Sequence, residues 1–350
     1  MQRLEIRDYD GDYEDIVDLA RRVWVPEYGG RIWIPLPEAA FLRQRAGPQT
    51  GGICKVAFED GKLVGSVFSV PRTLRVAGTR HQVSLYTGFS VEASSRRAAL
   101  PLIERLRRTN EERGDVFGIG LVLDDPSSAS YRFWTKYAET FPKSFRFVFR
   151  GGYLAKFLRP DVLARAGIMA WERMASRVFG PLLRLSPTGH DPNIRSYRAA
   201  DLERCAEIVQ RMTQGLDWAM EWSLDELSGQ LAGPECTTLV YERDGKVQGV
   251  ISSHALPLLG RQLMRCAFID LWAHDDLNAA ERVRLVGHLC RQLYASDIVG
   301  VIAPRSSTMP TGALLANLFL PGAQHFRIGI FQTRRTPDLA TPKTWSFEIT

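Results

Sequence analysis

The sequence predicts an α/β fold with a mixed sheet, written twice as two tandem domains joined by a helical linker. Three observations carry this expectation. Both halves open on the same short pattern, an Ile-Arg-x-Tyr strand core at Ile6, Arg7 and Tyr9 and again at Ile194, Arg195 and Tyr197. In each case acidic residues and an apolar helical stripe follow. About fifty residues later each half places an Asp-Gly pair between alternating strands, Asp60–Gly61 and Asp244–Gly245. Such pairs accept the positive φ angles of a tight hairpin turn. The remaining elements then repeat in order as strand, long helix, strand and final helix. They fall at 82–91, 97–113, 116–123 and 127–138 in the first half, and at 263–273, 278–294, 297–303 and 311–320 in the second. Agreement over the whole order points to duplication of one unit.

A chain of 350 residues accommodates two domains of ordinary size. The expected partition is 1–152, a linker at 153–193, and 194–350. The linker carries an amphipathic helical stretch near 161–179 and a breaker-rich exit at Pro181, Pro187, Gly189 and Pro192. Its aromatic residues, with Arg165, Arg173, Arg177 and Arg184, suit contact with a membrane surface. A connecting helix packed on the domains is the preferred reading.

With 45% hydrophobic and 24% charged residues the composition is globular. The net charge of +6 favours an anionic ligand, but the arginines are dispersed and match no nucleic-acid motif. Nucleic acid is therefore not an expected partner. The five cysteines are scattered and form no Cys-x-x-Cys pair, so neither a metal site nor a disulfide framework is expected. The acidic opening "MQRLEIRDYDGDYED" lacks the apolar core of a signal peptide, and no apolar run approaches the ~18 residues of a membrane span. A cytoplasmic setting is expected.

The junction "SLYTGFSVEASSRRAALPLIERL" runs from a strand into an amphipathic helix with two arginines at the turn. The first half, from "LEIRDYDGDYEDIVDLARR" to "SSASYRFWTKYA", resembles the GCN5-related N-acetyltransferase superfamily in element order. The second half is similar through its opening, its hairpin and "FIDLWAHDDLNAAERVRLVGHLCRQL". In that family a Gln/Arg-x-x-Gly-x-Gly/Ala loop holds the cofactor pyrophosphate. The matching run here is Arg96, Arg97, Ala98, Ala99, Leu100 and Pro101, with alanine and proline where the family has small residues.

The physical requirement is a helix N-terminus whose N–H groups face the anion. Pro101 lacks an N–H and is tolerated only in a first turn, so the helix is expected to start at 97–100. The expected donors are Arg97, Ala98, Ala99 and Leu100, reinforced by the Arg96 and Arg97 side chains. The corresponding turn of the second half carries Asp275 and Asp276, which repel a phosphate, so that domain is expected to have lost cofactor binding.

The resemblance implies acetyl-CoA or a longer acyl-CoA as co-substrate, no metal, and an acceptor amine that attacks the thioester directly. It places Phe89, Ser90 and Val91 nearest the thioester, with Gly88 marking a bulge. The family's tyrosine acid falls on Trp134, which cannot donate a proton in that role, so Tyr131, one turn earlier, is the expected acid and Tyr137 the reserve. Asp124 and Asp125 after the strand "FGIGLVL" and Tyr86 on "SLYTGFSV" are base candidates, although Asp in this position also caps helices. Trp24, Tyr28 and Trp33, within the insertion at 23–44, suit an acceptor wall. Asp270 and His274 interrupt or end an apolar strand, and Asp270 is expected either to face substrate or to be matched to an arginine.

Three functions fit these residues. The first is an acyl-CoA-dependent N-acyltransferase acting on a small-molecule or peptide amine. The second is a non-catalytic acyl-CoA-binding sensor or assembly subunit. The third is an aminoacyl-tRNA-dependent transferase, which calls for a basic groove that the dispersed charges do not supply.

Overall fold

The computed structural model describes residues 3–170, 172–174, 177 and 191–347. In chain order its elements begin with β1 (Leu4–Asp8), α1 (Tyr13–Tyr28), β2 (Ile34–Pro35), α2 (Ala39–Ala46), β3 (Ile53–Glu59), β4 (Lys62–Val76), β5 (Thr79–Val91), α3 (Ala99–Arg113), β6 (Phe117–Leu123), α4 (Ala129–Thr140), β7 (Phe145–Phe157) and α5 (Pro160–Ala166). They continue with β8 (Ile194–Ser196), α6 (Leu202–Thr213), β9 (Trp218–Glu221), α7 (Leu224–Ala232), β10 (Cys236–Arg243), β11 (Lys246–Leu259), β12 (Leu263–His274), α8 (Ala279–Ala295), β13 (Gly300–Pro304), α9 (Thr311–Ala316), β14 (Leu320–Gln332) and β15 (Trp345–Ser346).

The chain forms two compact units. The first comprises residues 1–29, 36–150 and 325–342, the second residues 30–35, 151–324 and 343–350. Both hairpins form at the Asp-Gly pairs, with φ of 50° and 83° at Asp60 and Gly61 and of 52° and 72° at Asp244 and Gly245. Two consecutive positive φ values match the twist of the flanking strands.

Within unit 1 the strands lie in the order β1-β3-β4-β5-β6-β14-β7. Neighbours run antiparallel from β1 to β5, β5 and β6 pair in parallel, and β6 pairs antiparallel with β14, from Phe326↔Leu123 to Gln332↔Phe117. Within unit 2 the order is β7-β13-β12-β11-β10-β8. Here β12 and β13 are the parallel pair, and β13 pairs antiparallel with β7, from Gly300↔Phe157 to Pro304↔Tyr153. The same motif therefore appears in each unit. The antiparallel strand flanking its parallel pair comes from the other half of the sequence.

Each long helix lays one apolar face on its own sheet. Leu102, Ile103 and Leu106 of α3 are fully buried in a cluster with Val64 and Val67. Leu285, Leu289 and Leu293 of α8 do the same with Ile251, Ile269 and Val301. The i, i+4 and i+3 spacings in α3 and the i, i+4, i+8 spacing in α8 put these side chains on one face, and each such burial contributes about 1.5–3 kcal/mol.

Several boundaries differ from the sequence reading. A 3-10 turn at Ala93–Ala98, broken at Ser95, precedes α3, so the chain turns helical before residues 97–100. The last helix of the second half ends at Ala316, and Leu320 already opens β14. The insertion at 23–44 is in large part helical: α1 continues through Pro26 to Tyr28, and α2 begins at Ala39. Pro26 sits in the last turn of α1, where its ring removes one i→i−4 hydrogen bond, and the helix ends two residues later at Tyr28. The helix expected near 161–179 is interrupted: α5 ends at Ala166 with Gly167 as its cap, and residues 170, 172–174 and 177 are helical again. Of the rest of that stretch, residues 171, 175–176 and 178–179 lie outside the described residues, as do Pro181, Arg184, Pro187 and Gly189.

Candidate functional site

In unit 1, β5 and β6 pair from Val83↔Phe117 to Tyr86↔Gly120 and then part. Two residues past the last pair, β5 carries a bulge at Gly88, where the β4 register shifts between Ser66 and Phe68. Gly88 has φ +64°, and a Cβ there would stand 2.7 Å from the Phe68 ring. Glycine removes both the steric clash and the conformational cost. The Ser66 and Ser90 hydroxyls donate to the Gly88 carbonyl at 3.3 and 3.4 Å. Ser90 therefore shapes the bulge with its side chain buried, while Phe89 stacks on Phe133 at 5.5 Å and Val91 pairs with Gly65.

The strand leads directly into the start of α3. No side chain caps α3 or the 3-10 turn before it. An α-helix leaves its first N–H groups without intrahelical partners, but here the 3-10 turn at Ala93–Ala98 runs straight into α3 and its i→i+3 bonds engage N–H groups along it. The Ala99 N–H is bonded in this way to the Arg96 carbonyl, which removes it from the expected donor set. Ala98 and Ala99 are buried, so their methyl groups pack inward rather than toward a ligand, and Leu100 is exposed.

The two arginines differ. Arg96 is exposed, and its side chain has no hydrogen-bond or ion-pair partner among the described residues. Arg97 is ion-paired to Glu59, which also accepts from the Ser95 hydroxyl. The Ser95 hydrogen bond and then the Arg97 contact hold the Glu59 carboxyl below its ordinary value.

The corresponding turn in unit 2 is closed. Asn278 caps α8 by accepting from the Glu281 N–H at 3.0 Å, and Glu281 accepts from the Asn278 N–H at 2.8 Å. This capping box satisfies two of the donors that α3 leaves uncapped. Asp275 is ion-paired to Arg211 at 2.6 Å and also to Arg204.

Past the end of β6, Asp124 is clamped by two guanidiniums, Arg150 Nε at 2.5 Å and Arg327 Nε at 2.7 Å. Arg327 lies over the ring of Tyr131, 5.2 Å from its centroid, and over Phe147 at 5.3 Å. Asp125 accepts from Ser127 N–H at 3.0 Å and caps the turn before α4, and Ser128 caps the helix itself by accepting from Tyr131 N–H. The three tyrosines are placed differently. Tyr131 is half-buried and its hydroxyl forms no hydrogen bond among the described residues. The Tyr137 hydroxyl is bound to Glu104, and burial then that bond push its pKa up. Tyr86 is stacked on Phe331 at 4.3 Å, and burial raises its pKa. Trp134 is 5% exposed between Phe89, Phe145 and Phe331, at 5.2–5.3 Å.

The expected acceptor wall falls in two units. Trp24, half-buried, and Tyr28, buried, belong to α1 of unit 1. Trp33 belongs to unit 2, where its indole donates to Glu172 at 3.3 Å and its backbone is held by Gln324.

Asp270 is the bulged residue of β12, at the register shift between Ser252 and Ser253. Its side chain is 2% exposed, paired with the Nδ1 of the equally buried His254, and Gln230 donates to it at 3.2 Å. Where an arginine was one expected partner, the structure supplies a histidine. His274 accepts or donates at Nδ1 with the Asp275 carbonyl at 3.0 Å, and burial pulls its pKa down. Sequence reasoning missed Arg327, Glu59 and His254. Arg327 lies 203 residues from Asp124 and has no local signal, whereas His254 stands out as a titratable residue inside the strand "VISSHALPLL".

No family model and no curated protein matches the sequence. Solved structures match the fold. Saccharomyces cerevisiae N-myristoyltransferase with bound myristoyl-CoA gives a TM-score of 0.75 at 15% identity, covering 96% of this chain and 84% of that one. A probable N-acyltransferase from Enterococcus faecalis gives 0.55 at 10% identity, covering 96% and 74%. A GCN5-related N-acetyltransferase from Kribbella flavida gives 0.53 at 13% identity, covering 94% and 71%. The chain thus has the fold of N-myristoyltransferase and of the GCN5-related N-acetyltransferases, carried as two units of mixed α/β sheet.

Proposed function

We propose that the chain is a cytoplasmic N-acyltransferase in which unit 1 holds an acyl-CoA, acetyl or longer, and an amine of a small molecule or peptide accepts the acyl group. The observation that carries this is the uncapped start of α3 beside the unpartnered Arg96, at the point where β5 and β6 part. A helix N-terminus and a free guanidinium are the chemistry a pyrophosphate requires. Unit 2 spends its equivalent donors on a capping box, which supports assigning the cofactor to unit 1 alone.

When bound, the thioester supplies the activated acyl group. Arg96, Arg97, Ala98 and Leu100 hold the phosphates in this reading, and Phe89, Ser90 and Val91 line the thioester arm along the bulge. Tyr131 is the acid, because it alone among Tyr86, Tyr131 and Tyr137 has a hydroxyl that is neither bound to a carboxylate nor buried. Asp124 serves through its two arginines rather than as a base, and Tyr86 as packing. Trp24 and Tyr28 line the acceptor side within unit 1.

The sensor reading keeps one observation in its favour. The family's acid position is filled by Trp134, packed among aromatic rings. Calorimetric titration with acetyl-CoA and myristoyl-CoA, followed by thiol release across a panel of amines, separates the two. Saturable binding with amine-dependent thiol release is the expected result. Binding without release in any amine supports the sensor, and no CoA binding rules out both.

A further inference from the structure

We propose that Arg327 is a positioning residue for Tyr131, fixed in turn by Asp124, so that unit 1 depends on a side chain delivered by the last long strand of the sequence. The inference rests on the acyl-transfer reading and names a residue that reading does not contain. Its geometry stands on three contacts. Asp124 Oδ1 accepts from Arg327 Nε at 2.7 Å, and its Oδ2 accepts from Arg150 Nε at 2.5 Å. The carboxylate is 7% exposed and so sets the direction of both guanidiniums. The Arg327 guanidinium then covers the Tyr131 ring at 5.2 Å, with Phe147 flanking it at 5.3 Å.

A guanidinium over an aromatic face is attracted by the ring quadrupole and gains strength where water is partly excluded. Arg327 is 34% exposed and Tyr131 half-buried, which satisfies that condition. The contact reaches the ring, not the hydroxyl, so the hydroxyl stays open to a reacting group. Tyr131 is also anchored at its other end, its N–H donating to the Ser128 cap at 3.1 Å. Helix cap and guanidinium together fix both the backbone and the ring.

The proton balance assigns Arg327 its task. As the acceptor nitrogen forms its bond to the acyl carbon, the C–S bond breaks and its electron pair goes to sulfur. Tyr131 gives its proton to that sulfur, and the acceptor nitrogen loses one proton, which returns to the phenolate oxygen through water. Arg327 places a fixed positive charge against the ring while the phenolate exists, an electrostatic contribution already in position before the reaction.

The test has two arms. In the first, wild type, Arg327→Gln, Arg327→Lys, Tyr131→Phe and the Arg327→Gln/Tyr131→Phe double variant are assayed for acetyl-CoA thiol release with the amine that the panel identifies. Arg327→Gln should lower kcat about tenfold with KM for acetyl-CoA nearly unchanged. Arg327→Lys should recover part of the loss, and the double variant should be no slower than Tyr131→Phe alone. In the second, tyrosine ring 13C resonances are compared without any substrate. The Tyr131 signal should shift or broaden in Arg327→Gln and return toward the wild type in Arg327→Lys. Asp124 keeps Arg150 in these variants, so the fold has a partner for its buried carboxylate. An unchanged Tyr131 resonance overturns the proposal whatever the activity, as does an unchanged kcat in an active enzyme. A shifted resonance in a protein with no thiol release leaves the positioning standing and removes the acyl-transfer reading instead.

Discussion

Gly88 and Asp270 are equivalent residues of the two units. Each lies two positions past the last residue of a parallel strand pair, Tyr86↔Gly120 in one and Phe268↔Ile302 in the other, and each lies at a bulge, Gly88 together with Phe89 and Asp270 alone. The solutions differ chemically. Unit 1 uses a glycine whose carbonyl is held by two serine hydroxyls, and unit 2 uses a carboxylate held by a histidine and a glutamine. The first leaves only backbone at the parting strands, packed closely on the Phe68 ring, whereas the second places a buried polar pair there.

Gly88→Ala should destabilise unit 1 by about 2–4 kcal/mol, from the positive φ together with the clash against the buried Phe68 ring. Urea denaturation monitored by tryptophan fluorescence reads this directly. A Cm within error of the wild type would mean that the bulge relaxes freely.

The Asp270–His254 pair predicts strong coupling. Asp270→Leu or His254→Leu alone leaves a buried polar group without its partner and should cost about 3–5 kcal/mol. The double variant removes both groups and should cost less than the sum, by at least about 1 kcal/mol. Strict additivity in the cycle would show that the contact is incidental.

Much of this architecture was legible because the signals were local. The Asp-Gly pairs announced both hairpins, and Gly88 announced its bulge. Asp270 stood out as a carboxylate in an apolar strand. Pro101 locates the start of α3, which falls at Ala99 within the expected 97–100, but nothing in "ASSRRA" signals the 3-10 turn that precedes it. The flanking strands were not legible at all. Alternation along "FRIGIFQ" says that a strand forms, but not that it pairs with β6, some two hundred residues earlier in the chain. Arg327 travels on that strand, so its meeting with Asp124 and Tyr131 was equally hidden. Trp24, Tyr28 and Trp33 illustrate the converse, since closeness in sequence suggests one wall and the three residues fall in different units.

Acid should destabilise the protein in a defined window. Asp201 is held below its ordinary pKa first by the hydrogen bond from Arg195, against the opposing effect of burial, and then by the Arg198 N–H. In Glu281 burial pushes upward, and the Asn278 N–H and Arg243 outweigh it. Both folded pKa values lie below the unfolded ones of about 3.9 and 4.3, so the folded state binds fewer protons as the pH falls. Their stabilisation is complete above those values and is lost as pH drops through the lower folded pKa values. The urea midpoint should be flat from pH 7 to about 5 and fall below it. Asp201→Asn should lower the plateau and soften the acid limb. A slope unchanged by that substitution would place the acid sensitivity elsewhere.

The two loop arginines should not contribute equally to anion binding. Arg96 carries an open guanidinium, whereas Arg97 is neutralised by Glu59, itself oriented by Ser95. A phosphate must compete with that carboxylate for Arg97 but not for Arg96. Arg96→Ala should therefore weaken acetyl-CoA binding about tenfold, the size of one charge-assisted hydrogen bond, and Arg97→Ala by no more than about threefold. Glu59→Gln should act in the opposite direction, freeing Arg97 and tightening binding by up to about threefold while steepening its salt dependence. Calorimetry at two ionic strengths measures all three effects. If Arg97→Ala proves the more damaging substitution, the ion pair with Glu59 must open when the anion arrives, and Glu59→Gln should then show the larger gain.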